Sequence, residues 1–279
     1  MPVLLMTVWL TGCVQEELGS TPSPTGNGIR FTLTVPDVNL PSVSSRTMTG
    51  TGTAKKEDEI ETVDILVFDM SKTPAVYLEC VSATGVTQDL ADNSTVSFSA
   101  VLSPTTASTC IVVVANKELD NIVPGFIKGT TTKVEAMEKM LHAQTGKWLA
   151  DGSTTDGYTR IPMYGEKVIS KITPSMDPIT GINMKRMLAR IDIRNNSATS
   201  NFTVEEVYLA NYNTTGYIAP AWNTNGQVID PAPDTPVLPV NSGKMTEEGD
   251  AILYSVNGNT PYEGEIYTFE SIAAEDVGG

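Results

Sequence analysis

The residue types that most often perform chemistry are scarce in this sequence of 279 residues. The chain contains one histidine, His142, and three cysteines, Cys13, Cys80 and Cys110. A zinc site draws its ligands mainly from cysteine and histidine, and a Ser-His-Asp triad would have to use His142. The sequence therefore predicts a protein without catalytic activity and without a cofactor.

Carboxylates are numerous, but their pattern does not indicate a site. Asp64 with Asp69, or the cluster of Glu247, Glu248 and Asp250, could supply paired carboxylates for glycoside cleavage or oxygen ligands for calcium. With 33 Asp and Glu against 18 Lys and Arg, the net charge is −15, and we expect these side chains to be solvated at the surface. The same charge repels polyphosphate and predicts that nucleic acid is not a partner.

Cys13 has neighbours that indicate a covalent modification. Residues 1–10 form an apolar run too short to span a bilayer as a helix, and small residues follow it directly before Cys13. This pattern is typical of a secretory signal peptide, here over residues 1–12. The segment resembles a bacterial lipobox, which implies acylation of the Cys13 thiol and attachment to the outer membrane. The alternative is an ordinary signal peptide with an incidental cysteine.

A flexible tether, residues 13–28, leads to the first predicted strand. Strict alternation over residues 29–35 predicts a half-buried strand that ends at Pro36. Its apolar positions are Ile29, Phe31, Leu33 and Val35. Residues 37–59 are polar and rich in Pro, Ser, Thr and Gly, so we expect an exposed loop that proteases can reach.

Further short segments rich in β-branched residues predict an all-β sandwich architecture. Strands are expected at 60–69, 76–81, 95–102, 109–115, 158–172, 183–193, 204–209, 251–256 and 265–269. A break rich in proline places a domain boundary between Ser175 and Gly181. The prediction is an N-terminal domain of residues 29–176 and a C-terminal domain of residues 181–279.

One short helix is predicted in the first domain. Thr132 and Glu135 have the spacing of a capping box, and Val134, Met137 and Leu141 follow at helical spacing. We expect Met137, Met140 and Leu141 to belong to the core. His142 would then lie in the second half of the helix, partly exposed near its C-terminal end.

Cys80 and Cys110 lie in predicted strands, and two interpretations of them stay open. An exported compartment permits a disulfide bond between them. The apolar surroundings of both also suit free cysteines that pack as small apolar side chains.

The order and spacing of several segments resemble the Bacteroidetes-type fimbrillin family, the subunits of type V pili. The similarity covers about residues 13–269 and implies two tandem transthyretin-like β-sandwich domains in a lipoprotein of the cell-surface fimbrium. The segments that carry it are the motif ending in Cys13, residues 29–35, Arg46, and residues 59–69, 111–116, 161–165 and 185–192.

The resemblance also implies proteolytic processing and polymerisation. An arginine-specific protease would cut after Arg46, and Thr47 would become the mature N-terminus. Rival cut sites are Arg30 within the first strand and, for a lysine-directed protease, Lys55 and Lys56. Loss of the strand opens an apolar groove with unpaired backbone groups, which a strand of another fimbrial subunit would fill. Head-to-tail contacts of this kind produce fibres.

The chain departs from the family at its C-terminal end. Fimbrillins carry more strands after the segment that matches residues 266–270, so we expect the C-terminal domain to be incomplete. Alternative roles are a tip or anchor subunit that stays uncut at Arg46, or a lipid-anchored module that binds a glycan or a protein. Tyr208, Tyr212, Tyr217 and Trp222 could form a sugar-stacking platform, although core and loop positions suit them better.

Overall fold

The computed structural model describes residues 28–35, 56–88, 95–144, 146–148, 159–191, 205–233, 235–240, 242, 251–255 and 266–271. Over this part of the chain the structure is built mainly from strands with one α-helix, which confirms the all-β prediction. The predicted positions Cys13, Arg46 and Thr47 lie outside the described residues.

The strands and helices are numbered in chain order. The strands are β1 (Ile29–Thr34), β2 (Val63–Asp69), β3 (Val76–Ser82), β4 (Thr84–Gln88), β5 (Thr95–Ala100), β6 (Thr109–Ala115), β7 (Leu141–Ala143), β8 (Met163–Ile169), β9 (Ile179–Asn183), β10 (Lys185–Arg186), β11 (Ala189–Ile191), β12 (Glu206–Leu209), β13 (Thr215–Tyr217), β14 (Ile252–Ser255) and β15 (Ile266–Thr268). The α-helix is α1 (Lys133–Lys139), and 3-10 turns occupy Lys56–Asp58 and Val123–Gly125.

Two sheets form a sandwich. The four-stranded sheet has the order β4-β5-β1-β9, and the five-stranded sheet has the order β10-β8-β6-β2-β3. Strands β3 and β4 are consecutive but lie in different sheets, as do β9 and β10, so the chain crosses between the sheets at both ends of the sandwich. A core of apolar side chains fills the space between them, including Phe31, Leu33, Ile65 and Val113.

The centre of the five-stranded sheet is buried on both faces. All seven residues of β6 are buried, as the continuous apolar run of residues 109–115 predicts for a central strand. Alternate side chains serve two cores: Ile111 and Val113 face the four-stranded sheet, whereas Val112 and Val114 belong to a second core on the outer face.

A third layer covers that outer face. It contains α1 and later parts of the chain, and the side chains that it contributes include Met137, Trp148, Ile218 and Phe269. The helix begins as predicted, because the Thr132 hydroxyl accepts from Glu135 N–H while the Glu135 carboxylate accepts from Thr132 N–H.

The predicted position of His142 is wrong. The helix ends at Lys139, and Leu141 and His142 lie in β7, which pairs with β13. Leu141 satisfies helical spacing, but its backbone pairs with Tyr217 instead. Met137 and Met140 are fully buried, as expected for core residues.

The first sandwich extends beyond the predicted boundary between Ser175 and Gly181. Strand β9 pairs with β1 and β10 pairs with β8, so residues as far as Arg186 belong to its two sheets. After Arg186 the described strands form two-stranded ladders, β11 with β15, β12 with β14 and β13 with β7. Several of their side chains share the outer core with the five-stranded sheet.

Candidate functional site: the first strand and the segment after the loop

Strand β1 occupies an interior position in the four-stranded sheet. It pairs antiparallel with β5 over six residues, from Ile29 opposite Ala100 to Thr34 opposite Thr95. Its other edge pairs in parallel with β9. Both rows of backbone hydrogen-bonding groups on β1 are therefore engaged with neighbouring strands.

The four apolar side chains of residues 29–35 all point into the core, as the alternation predicts. Ile29 is 5% exposed, Phe31 and Val35 are 1% exposed, and Leu33 is fully buried. The rings of Phe31 and Phe98 are stacked, with centroids 5.0 Å apart and planes inclined by 7°. Burial of side chains of this size contributes roughly 1.5–3 kcal/mol each before the cost of ordering them.

The parallel edge of β1 contains a β-bulge. Phe31 is opposite Ile179 and Leu33 is opposite Ile182, so β9 holds one residue more than β1 over this interval. Gly181 has a φ of +70°, a left-handed conformation that side chains with a Cβ atom rarely adopt. The bulge on β9 therefore lies opposite the interval between Phe31 and Leu33.

Arg30, the rival cut site in the first strand, is exposed on the outward face of β1. Its backbone lies in the ladder opposite Ser99. A protease must bind the backbone on both sides of the cut in its cleft. The backbone of Arg30 is paired within the sheet, so cleavage there requires local unfolding.

The segment that follows the loop is fixed by charged side chains. Glu57 is only 5% exposed, and its Oε1 atom lies 2.6 Å from Nη1 of Arg190 and accepts a hydrogen bond of 2.5 Å from the Tyr267 hydroxyl. Asp58 forms an ion pair with Arg186. Arginine presents several donors in a planar fork, which suits it to partly buried carboxylates.

Side-chain amides hold the backbone of the same segment, residues 57–61. Gln88 donates to Asp58 C=O at 2.7 Å and accepts from Ile60 N–H at 3.1 Å. Asn116 donates to Glu59 C=O at 2.7 Å and accepts from Glu61 N–H at 3.0 Å. These bonds tie the chain to β4 and to the end of β6.

Arg160 completes this set of contacts. Its guanidinium lies 3.1 Å from Glu59 and 2.6 Å from Glu61. The composition of residues 37–59 predicts that the first part of the acidic run of residues 57–61 belongs to an exposed loop. No local pattern pointed to its partners, because Arg160, Arg186 and Arg190 lie about 100 or more positions later in the chain.

The sequence matches the profile of the family described as fimbrillin-A associated anchor proteins Mfa1 and Mfa2, over residues 23–276. The chain belongs to this family. The match includes β1 and the segment of residues 57–61. Membership gives the protein a structural role in fimbriae at the cell surface, and it confirms the predictions of a fimbrial family and of a protein that is not an enzyme.

Three solved structures resemble the chain at low sequence identity. A fimbrial assembly protein from Parabacteroides distasonis is 13% identical, with 88% of this chain and 78% of that one covered and a TM-score of 0.41. A putative cell adhesion protein from the same species is 17% identical, with 90% and 73% covered and a TM-score of 0.48. Putative polysaccharide binding proteins from Bacteroides thetaiotaomicron give 12% identity, 72% and 62% coverage and a TM-score of 0.35. No curated protein matches the sequence.

In this fimbrial protein Cys80 and Cys110 are free thiols, so the disulfide considered from the sequence is not formed. Cys80 on β3 is opposite Leu66, and Cys110 on β6 is opposite Phe68, on the two sides of β2. Strands separated by a third are about 9.5 Å apart, whereas a disulfide needs Cα atoms within about 7 Å. Both cysteines pack as apolar side chains.

The aromatic residues considered for sugar stacking do not share a surface. Tyr212 and Trp222 are buried, and Tyr217 is half-buried with its ring 4.9 Å from that of Trp222. Tyr208 is exposed on β12 and donates to Glu206 at 2.6 Å. The core and loop interpretation therefore describes three of the four.

Asp64 and Asp69, which the sequence offered as paired carboxylates, each accept hydrogen bonds from structural partners. Asp64 accepts from the Ser82 hydroxyl and from Leu119 N–H. Hydrogen bonds from Ser71 lower the pKa of Asp69. Glu247, Glu248 and Asp250 lie outside the described residues.

His142 is half-buried with its ring 5.0 Å from that of Trp148, and its Nδ1 atom has no hydrogen-bond partner among the described residues. Burial, with a smaller effect of Lys117, lowers the pKa of His142 to about 4. The imidazole is therefore neutral at physiological pH.

Across the described ranges, no helix has both the length and the apolar composition that crossing a membrane requires.

Proposed function

We propose that this protein is a fimbrial subunit, exported as a lipoprotein and assembled by donor-strand exchange after a single proteolytic cut. One observation carries the proposal. Strand β1 is an interior strand, and the four apolar side chains of residues 29–35 are buried, yet its only covalent connection to the rest of the described fold is through residues 36–55. A single cut in that connection turns β1 into a separate peptide held by non-covalent contacts alone.

The cut lies between Arg46 and Thr47 in this proposal. Departure of β1 would uncover the apolar core between the two sheets and leave unpaired backbone donors and acceptors on the edges of β5 and β9. Such an edge pairs readily with another strand of suitable alternation. A neighbouring fimbrial subunit supplies that strand, and repetition of the same contact builds a fibre.

The fixed segment of residues 57–61 supports this mechanism. Its ion pairs with Arg160, Arg186 and Arg190 join it to parts of the fold that contain no residue of β1. The chain downstream of the cut would therefore stay attached when β1 departs. The groove would then lose β1, while β5 and β9 on either side of it would stay in place.

The motif at Cys13 supports export as a lipoprotein. A lipid on Cys13 and the tether of residues 13–28 hold the uncut precursor at the outer membrane. Because Cys13 and β1 lie on the same side of the cut, cleavage after Arg46 removes the lipid and the strand together. An arginine-specific protease is thus the second partner, beside the other fimbrial subunits.

A second candidate function is favoured by the family description, which names anchor proteins. An anchor keeps the acylated Cys13 and retains β1, and it holds the base of the fimbria at the outer membrane. The two candidates differ in one covalent property, which is whether the chain is cut between residues 36 and 55.

The test is the N-terminal sequence and intact mass of the protein sheared from its native cells, grown with and without an inhibitor of arginine-specific proteases. A chain that starts at Thr47 only without inhibitor supports the polymerising subunit. A chain that starts at acylated Cys13 under both conditions contradicts it and supports the anchor. Arg46→Lys should abolish the cut, whereas Arg30→Lys, the matched control, should leave it unchanged.

A further inference from the structure

The groove that β1 fills between β5 and β9 is called the β1 groove below. Alternation of apolar and polar side chains does not by itself define the register of a strand in this groove. A slip of one residue turns the apolar side chains to the opposite face, so it is excluded. A slip of two residues keeps every apolar side chain inside. Something other than the period must therefore distinguish the native register from the two nearest alternatives.

The neighbours of β1 on β5 differ from one inward position to the next. Ile29 is opposite Ala100, and Leu33 is opposite Val96. Phe31 alone is opposite an aromatic residue, Phe98. These two rings are the stacked pair of the core, and both are almost completely buried, at 1% and 3% exposure.

We propose that Phe98 sets the register of the strand that fills the groove, because it selects an aromatic side chain at the position of Phe31. The inference rests on the proposed donor-strand exchange. Its occupant is a strand of another fimbrial subunit with four alternating apolar side chains, of which the second is aromatic. Stacked aromatic pairs are favoured beyond the area that they bury, so the native register gains an interaction that the slipped ones lack.

Slipped registers also fit the groove poorly in shape. A shift of two residues places the Phe31 ring opposite Ala100 or Val96 and leaves Phe98 opposite an aliphatic side chain. The close-packed core then has a void at one position and crowding at another. On the parallel side, the bulge at Gly181 would meet a different pair of residues than Phe31 and Leu33.

The experiment traps the register of a peptide in the groove of the full chain. A specific protease site inserted in the segment of residues 36–55 allows one cut, after which a synthetic peptide of residues 28–36 in excess exchanges with β1. The peptide carries Thr32→Cys. The protein carries Ser97→Cys, the native partner of Thr32, or instead Thr95→Cys or Ser99→Cys, the partners in the two slipped registers. Cys13→Ser removes the lipid site, and because burial raises the pKa of Cys80 to about 12 and that of Cys110 to about 11, both remaining thiols should react slowly.

With the native peptide we expect cross-linking almost entirely to Ser97→Cys. With Phe31→Leu in the peptide, we expect the native register to lose roughly threefold to tenfold in preference, so that slipped cross-links appear. Phe98→Leu in the protein should have the same effect, and the peptide variant preserves the test if that protein does not fold. Peptide Arg30→Lys, which changes an outward-facing side chain, is the matched control.

Each outcome separates the inference from the proposed function. If the native peptide and the Phe31→Leu peptide both cross-linked only in the native register, the role of Phe98 would be overturned and strand exchange would stand. Failure of any peptide to displace β1, including the native one, would overturn strand exchange itself and the inference with it.

Discussion

Tyr267 donates a hydrogen bond to Glu57, which lies 210 positions earlier in the chain. Across the ladder of β11 and β15, Tyr267 is the direct partner of Arg190, and the Arg190 guanidinium contacts the same Glu57 oxygen. One buried carboxylate therefore joins a late two-stranded ladder to the segment that follows the proposed cut. The contact shows that the late strands and the first sandwich are parts of one packed structure.

Removal of the Tyr267 hydroxyl should lower stability. Tyr267→Phe leaves a buried carboxylate with one donor fewer, and we expect the free energy of unfolding to fall by about 1–3 kcal/mol. The matched control is Tyr208→Phe, which removes a Tyr–Glu hydrogen bond of 2.6 Å at an exposed site and should leave stability nearly unchanged. Urea unfolding of the three proteins measures both values, and equal losses would contradict the structural role of Glu57.

The inward side chains of β1 should matter more than the outward ones. Leu33→Ala removes a fully buried side chain from the core between the sheets, and we expect a loss of about 2–5 kcal/mol. Thr34→Ala, at the neighbouring exposed position, should cost less than about 1 kcal/mol. Thermal or urea unfolding of the uncut chain distinguishes them. Similar losses at both positions would mean that β1 is not part of the core.

His142 should make stability fall in mildly acidic solution. Its pKa is about 4 in the folded protein and near 6.5 when exposed, so between these values the unfolded chain binds more protons. Stability contributed by the neutral imidazole is complete above pH 6.5 and is lost as the pH falls to 4. The partial exposure of His142 limits this loss to about 1–2 kcal/mol.

The variant His142→Gln isolates this contribution. Its stability should vary less between pH 6.5 and pH 4 than that of the natural chain, because glutamine does not titrate. Urea midpoints at several pH values in this interval give the comparison. Parallel pH profiles for the two proteins would show that His142 is exposed rather than packed against Trp148.

The two cysteines of the five-stranded sheet should react slowly in the folded protein. Burial raises the pKa of Cys80 to about 12 and that of Cys110 to about 11, so the reactive thiolate is scarce at pH 8. In a Cys13→Ser protein, iodoacetamide should add little mass under native conditions and two equivalents in urea without reductant. Labelling in urea that required a reductant would demonstrate a disulfide and contradict the strand order around β2.

Local patterns in the sequence predicted local structure well. The alternation of residues 29–35 identified β1 and the four apolar side chains that this segment buries, because a strand turns successive side chains to opposite faces. The capping box identified the helix start at Thr132, because both of its hydrogen bonds join residues three positions apart. The helix end was missed, since the apolar spacing continues to Leu141 and only pairing with β13 makes that residue part of a strand.

What the sequence by itself determined was therefore the type and the facing of elements, together with the family to which the chain belongs. The tertiary structure decided which elements meet. It placed β9 beside β1, kept Cys80 and Cys110 on opposite sides of β2, and brought Arg190 and Tyr267 to Glu57. The physical reason is that periodicity and capping depend on residues a few positions apart, whereas strand order and buried ion pairs depend on packing between segments far apart in the chain.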